Sequence, residues 1–142
     1  YPTTIHHEMK LANKPEPCLF GMHLIDRFPK KVIAVVESEK TAIIMSIVCP
    51  EFLWMATGGL TFLNARLFAP LQSREVILFP DLGEDKILGT PYEQWERKLP
   101  EISKYVKEVR ISDLLERKGT PEQRMNGYDI ADYFVKDMKK VS

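Results

Sequence analysis

Lys31-Val32-Ile33-Ala34-Val35-Val36-Glu37-Ser38-Glu39-Lys40-Thr41-Ala42 is the stretch from which the fold can be read. Its apolar run, Val32 to Val36, is unbroken and rich in β-branched Val. A run that short and that apolar suits a strand buried on both faces, here about Lys31–Glu37. It stops at Glu37. Ser38 then stands where a helix N-cap would, and apolar residues continue at helical spacing, which predicts a helix over Glu39–Val48 closed by Pro50. An acid therefore sits where a buried strand turns into a helix. In open α/β sheets that carboxyl edge is where ligands and metals collect.

The pattern repeats downstream. Phe52–Ala56 reads as a second buried strand, broken by Thr57-Gly58-Gly59. Two glycines there serve either a tight turn or a loop that lets phosphate oxygens approach the main chain. Leu60–Phe68 looks helical, with Leu60, Leu63, Leu67 and Phe68 on one stripe, and Pro70–Arg74 reads as a linker. Glu75–Phe79 is a third strand, ending in Pro80-Asp81-Leu82-Gly83-Glu84-Asp85, a second acidic strand end. Thr90-Pro91-Tyr92-Glu93 carries a capping box and starts a helix that Pro100 kinks or ends. Lys107–Ile111 alternates as a fourth, more exposed strand. Ser112 or Asp113 would cap the next short helix, and Gly119-Thr120-Pro121-Glu122 opens another. Ile130, Phe134 and Met138 form the stripe of a last helix.

Upstream, Cys18–Phe28 suggests a short helix with His23 near its apolar face. Residues 1–17 read as an irregular arm with one short element near His7–Leu11, and the adjacent His6 and His7 read as solvent-facing. The alternation of strands and helices predicts an α/β domain over 18–135, with a four-stranded, mostly parallel sheet and helices on both faces. A charged tail, 136–142, is expected to fray. Right-handed crossovers would place Glu37 and Asp81 on one rim, with Gly58 and Gly59 beside them.

Composition narrows the function classes. The chain has 142 residues, enough for one domain with a real core. Its 20 basic and 20 acidic residues cancel, which argues against gripping nucleic acid by bulk charge alone. Cys18 and Cys49 lack metal-ligand spacing, so zinc is not expected and a reducing, cytoplasmic setting is the simpler reading. No apolar run approaches the roughly 20 residues of a membrane span, and no signal peptide is evident. Tyr1 in place of an initiator Met suits a piece of a longer chain. Oligomeric state leaves no signal.

Paired acids at a strand edge suit Mg²⁺ or Mn²⁺, hard cations that take few protein oxygens and keep water for phosphate to displace. The competing reading needs no metal: an acid near a helix N-terminus is stabilising by about 0.3–1 kcal/mol. Lys40, on the first helical turn beside the rim, is either a phosphate contact or a solvated charge. Trp54 and Trp95 read as packing residues before base-stacking platforms. Asp129 and Asp132, three apart, share a helix face, with Asp129 as an N-cap. A phospho-acceptor receiver would need paired acids after the first strand and a lysine after a fifth, and neither is present.

Taken together, Val36-Glu37-Ser38-Glu39-Lys40-Thr41-Ala42, Thr57-Gly58-Gly59 and Phe79-Pro80-Asp81-Leu82-Gly83 resemble a topoisomerase–primase (Toprim) domain. More narrowly, with Cys18-Leu19-Phe20-Gly21 and Gly127-Tyr128-Asp129-Ile130-Ala131-Asp132-Tyr133, the chain is similar to uncharacterised, primase-related Toprim-like proteins of Bacteroides-type bacteria, often linked to mobile elements. The resemblance runs from about Cys18 to Phe134. It implies Mg²⁺-dependent phosphodiester chemistry on nucleic acid, expected to be DNA, in replication or transfer. Glu37 would be the catalytic glutamate or a metal ligand, and Asp81 the first metal-ligand aspartate. Where the family places a second aspartate this chain has Gly83, so Glu84 or Asp85 would have to supply that carboxylate. The alternative is a non-catalytic nucleic-acid- or protein-binding module that keeps the fold.

Overall fold

The computed structural model describes residues 18–59 and 63–141. The N-terminal arm, with His6 and His7, and the residues Leu60, Thr61 and Phe62 lie outside them. The sheet has four strands, all parallel: β1 (Ile33–Val36), β2 (Leu53–Ala56), β3 (Glu75–Leu78) and β4 (Glu108–Ile111), in the order β2-β1-β3-β4. The α-helices are α1 (Glu39–Val48), α2 (Pro91–Glu96), α3 (Leu99–Ile102), α4 (Leu114–Lys118), α5 (Pro121–Met125) and α6 (Ile130–Val141). Two 3₁₀ helices cover Met22–Arg27 and Ala65–Leu71.

β1 and β2 are buried at every position, because each side of the sheet is covered. Ile33 and Val35 join Phe68, Leu71, Trp95 and Ile102 in one core layer. Ala34 and Val36 join Ala42, Met45, Leu115 and Ile130 in the other. A two-sided core explains why β1 reads as a continuous apolar run rather than an alternating one. Ala34 pairs with Trp54 on β2 and with Ile77 on β3. Its small side chain leaves room for the Trp54 and Phe79 rings, whose centroids lie 5.2 Å apart. Both tryptophans are buried, as expected of packing residues. β4, at the edge, is the exposed strand.

The helix signals act where they were read. Ser38 Oγ accepts from Thr41 N at 3.1 Å. Thr90 and Glu93 form a reciprocal capping box, as do Thr120 and Gln123. Asp129 and Asp132 form a third: Asp132 N donates to Asp129 Oδ1 at 2.7 Å, and Asp129 N to Asp132 Oδ2 at 3.1 Å. Pro100 falls in the first turn of α3, a new helix after a turn at Arg97 and Lys98, where its missing N–H is tolerated.

Four expectations need correction. The helix at Cys18–Phe28 is a 3₁₀ turn over Met22–Arg27, and His23 on it is exposed. Three-residue periodicity turns Met22 and Ile25 toward the sheet and His23 away from it. The helix expected over Leu60–Phe68 is, within the described residues, a 3₁₀ helix starting at Ala65, where Asn64 Oδ1 caps Arg66 N at 3.0 Å. It runs through Pro70, so the linker expected from Pro70 begins only after Leu71. The tail from Lys136 continues α6 to Val141.

Candidate functional site

β1 leads through α1 to β2 on one side, whereas β3 and β4 lie on the other. The order therefore reverses between β1 and β3, and the crevice at their carboxyl ends is the topological switch point where open α/β sheets bind ligands. Glu37 follows β1 and Asp81 lies just beyond β3, so both acids stand at that crevice. Glu37 is buried, with 7% of its surface exposed. Its Oε2 accepts from the Asp81 backbone N–H at 2.9 Å, which ties the two strand ends together.

Asp81 Oδ1 is buried and has no hydrogen-bond partner. The carboxyl is pushed up to about 10 by burial first, then by the Glu37 charge and a hydrogen bond to Glu37, and then by Asp129 and Asp132. Two carboxyl groups this close cannot both ionise cheaply. The pair is held together by a proton, or by a cation that replaces it.

The C-terminal segment holds this loop in place. Leu82 N donates to Tyr128 O at 2.7 Å, and Arg124 Nη1 to Gly83 O at 2.8 Å. Arg124 also pairs with Glu116 through Nη2. Thr41 Oγ1 donates to Asp129 Oδ2 at 2.8 Å, joining α1 to the start of α6. Asp129 thus caps its helix and lies within electrostatic reach of Asp81.

A cleft of about 280 Å³ opens on the pair, lined by Glu37, Asp81, Gly83, Glu84, Lys86 and Arg124 among others. Glu84 therefore shares the cleft with the two acids. Asp85 does not: it lines a neighbouring hollow with Thr90, Tyr92 and Glu93. Lys40 is exposed in the first turn of α1, outside the lining of the cleft. Gly58 and Gly59 also stand on the rim without lining it. Gly58 takes φ 92° and donates its N–H to Glu37 O at 2.8 Å, so this glycine turn closes over the backbone of the acid. Arg124 and Lys86 carried no local signature in the sequence. They reach the cleft because α5 and the loop after β3 fold back over the sheet edge.

Position 83 is closed to a second acid. A Cβ on Gly83 would stand 2.7 Å from Cγ and Cδ of Pro91, in a ring that cannot swing aside. Gly83→Asp is therefore expected to cost about 1–3 kcal/mol in urea denaturation without tightening Mn²⁺ binding. Wild-type stability together with tighter binding would show that Pro91 yields.

A family profile described as "Domain of unknown function (DUF6371)" matches residues 1–82, more than half of the chain. The chain belongs to the DUF6371 family. The matched residues include Glu37, the Gly58-Gly59 turn and Asp81, and end one residue after that acid. Gly83, Lys86, Arg124 and Asp129 lie beyond them. No curated protein and no solved structure matches the chain. Among the described residues, no helix is long and apolar enough to cross a membrane.

Proposed function

We propose that this DUF6371 domain is a Toprim-like, divalent-metal-dependent module that acts on nucleic acid, expected to be DNA. One observation carries the reading: a buried, unpartnered Asp81 oxygen beside the Glu37 carboxylate at the switch point of a parallel sheet. The donor set suits the ion. Among the described residues no cluster of three or more His, Cys, Asp or Glu side chains is arranged around one point. Mg²⁺ commonly uses one or two carboxylates and completes its shell with water and phosphate oxygens. Glu37 and Asp81 would hold it, with Glu84 on the wall of the same cleft.

A bound Mg²⁺ or Mn²⁺ would stabilise charge on phosphate oxygens during nucleotidyl transfer or cleavage. The chain's own groups orient the site. Glu37 fixes the turn after β3 by accepting the Asp81 N–H, and burial keeps the pair away from bulk water. In the metal-free state the pair retains a proton on Asp81, which the entering cation displaces.

The second reading is a binding module without catalysis. Gly83 supports it, since Pro91 bars a carboxylate from that position. Calorimetric titration with Mn²⁺ and Mg²⁺ of the wild type, Glu37→Gln and Asp81→Asn is the test. Binding in the millimolar range or tighter is expected for the wild type, weakened at least tenfold in each variant. No wild-type binding at millimolar metal rejects the metal reading. Metal binding without primer-synthesis or nicking activity on DNA would favour the second reading over the first.

A further inference from the structure

The cleft beside Glu37 and Asp81 has a second wall, built from Lys86 on the loop after β3 and Arg124 on α5. In both places the next residue is an exposed apolar side chain. Ile87 is fully exposed, Leu88 is 64% exposed and Met125, which also lines the cleft, is 70% exposed. The loop bearing Lys86, Ile87 and Leu88 is held in position. Arg124 Nη1 bonds Gly83 O, Arg97 Nη1 bonds Leu88 O at 2.6 Å, and Gln94 Nε2 bonds Gly89 O at 2.8 Å. Gly89 N closes the turn on Lys86 O at 2.8 Å. The backbone therefore fixes an apolar tip in water beside a cation. Among the described residues Lys86 takes part in no ion pair.

The geometry points to a seat for one nucleotide of an unpaired nucleic-acid strand. Its phosphate lies between Lys86 and Arg124, and its base lies against Ile87 and Met125. This rests on the nucleic-acid reading above and adds the strandedness and the contacts. A strand alternates an anion with a flat apolar base, and each cation here is followed by an apolar side chain in the same way. A duplex keeps its bases stacked inside and offers these side chains only phosphate and groove edges. The cleft, at about 280 Å³, is at the small end of ligand sites, about 300–1,000 Å³. That is room for one nucleotide unit rather than a helix.

Fluorescence anisotropy of a labelled oligothymidylate and of a labelled duplex, in Mg²⁺, tests the proposal on the full chain, Lys86→Ala and Ile87→Ser/Met125→Ser. The altered side chains are exposed, and circular dichroism checks folding. Single-strand binding tighter than duplex binding is expected, with a loss of about fivefold to tenfold in each variant. For Lys86→Ala the slope of log K against log salt should also fall by about 0.7, the loss of one phosphate contact. Equal affinity for single strand and duplex overturns the proposal, as does single-strand binding that either variant leaves unchanged. A wild type that binds Mg²⁺ but no DNA overturns it and leaves the metal site standing. Single-strand binding lost in the variants, from a wild type that takes no Mg²⁺, keeps it and rejects the metal reading. If Ile87→Ser/Met125→Ser alone lowers affinity, equally for an unrelated apolar peptide, the surface is a protein-docking face instead.

Discussion

Asp81→Asn is expected to stabilise the metal-free protein at pH 7 by on the order of 2 kcal/mol, a rise in Tm of about 5 °C. The reason is linkage. The Asp81 carboxyl is raised to about 10 in the folded protein, against about 3.9 in an unfolded chain. Below pH 4 both states hold the proton, and its contribution to stability is fully present. As pH rises above 4 the unfolded state releases the proton while the folded state keeps it. Stability then falls, by up to about 1.4 kcal/mol per pH unit, until the folded group titrates near its raised value. Asparagine cannot ionise, and its amide can still donate to Glu37. The gap between variant and wild type should therefore widen from pH 4 to pH 8 in urea denaturation without metal. Parallel pH profiles would show that Asp81 does not bear the proton. Saturating Mg²⁺ should reverse the order, because a ligand that binds only the folded state stabilises by mass action and the variant has lost half of the pair. Such a site gives up stability at the place where it binds, as functional sites commonly do.

Arg74→Ala is expected to cost about 3 kcal/mol. Arg74 precedes β3, is 7% exposed, and forms no ion pair among the described residues. Its guanidinium donates instead to three backbone carbonyls: Ile25 O at 3.2 Å, and those of Phe28 and Lys31. It thereby fastens the 3₁₀ turn and the approach to β1 onto the start of β3. Burial lowers the pKa of the guanidinium. Truncation strands three acceptors and leaves a void, and stranded buried acceptors cost about 1–3 kcal/mol. Arg74→Met separates the two effects, since it refills the volume without donors. Guanidinium chloride or urea melts should place the methionine variant close to the alanine variant. Two variants within about 0.5 kcal/mol of wild type would mean that water replaces the arginine. Because Arg74 lies at the amino edge of the sheet, away from Glu37, any loss of metal affinity should track unfolding alone.

Local chemistry determined a good deal by itself. Val32–Val36 and Val76–Leu78 are apolar runs too short for helices, and both are buried strands because the sheet is covered on each face. Ser38, Thr90 and Thr120 cap helices through bonds to residues three positions on, a distance that sequence alone specifies. Glu37 and Asp81 were readable as acids ending consecutive inner strands. The errors fall where tertiary contacts outweigh local pattern. His23 sits on a 3₁₀ turn, whose three-residue period sends it to solvent. The stretch after Gly59 keeps its apolar residues but packs them from a 3₁₀ helix that runs through Pro70.

Only the tertiary structure decided which carboxylates share one cleft. Glu84 and Asp85 are neighbours, yet one lines the cleft and the other faces a different hollow, because a tethered loop turns between them. Whether residue 83 can carry an acid depends on Pro91, eight positions away. The cations of the opposite wall, Lys86 and Arg124, come from segments 38 residues apart in the sequence. Sequence spacing governs bonds that close within one turn of helix or along one strand. Which side chains meet across a cleft depends on how separate segments dock, and no spacing along the chain encodes that.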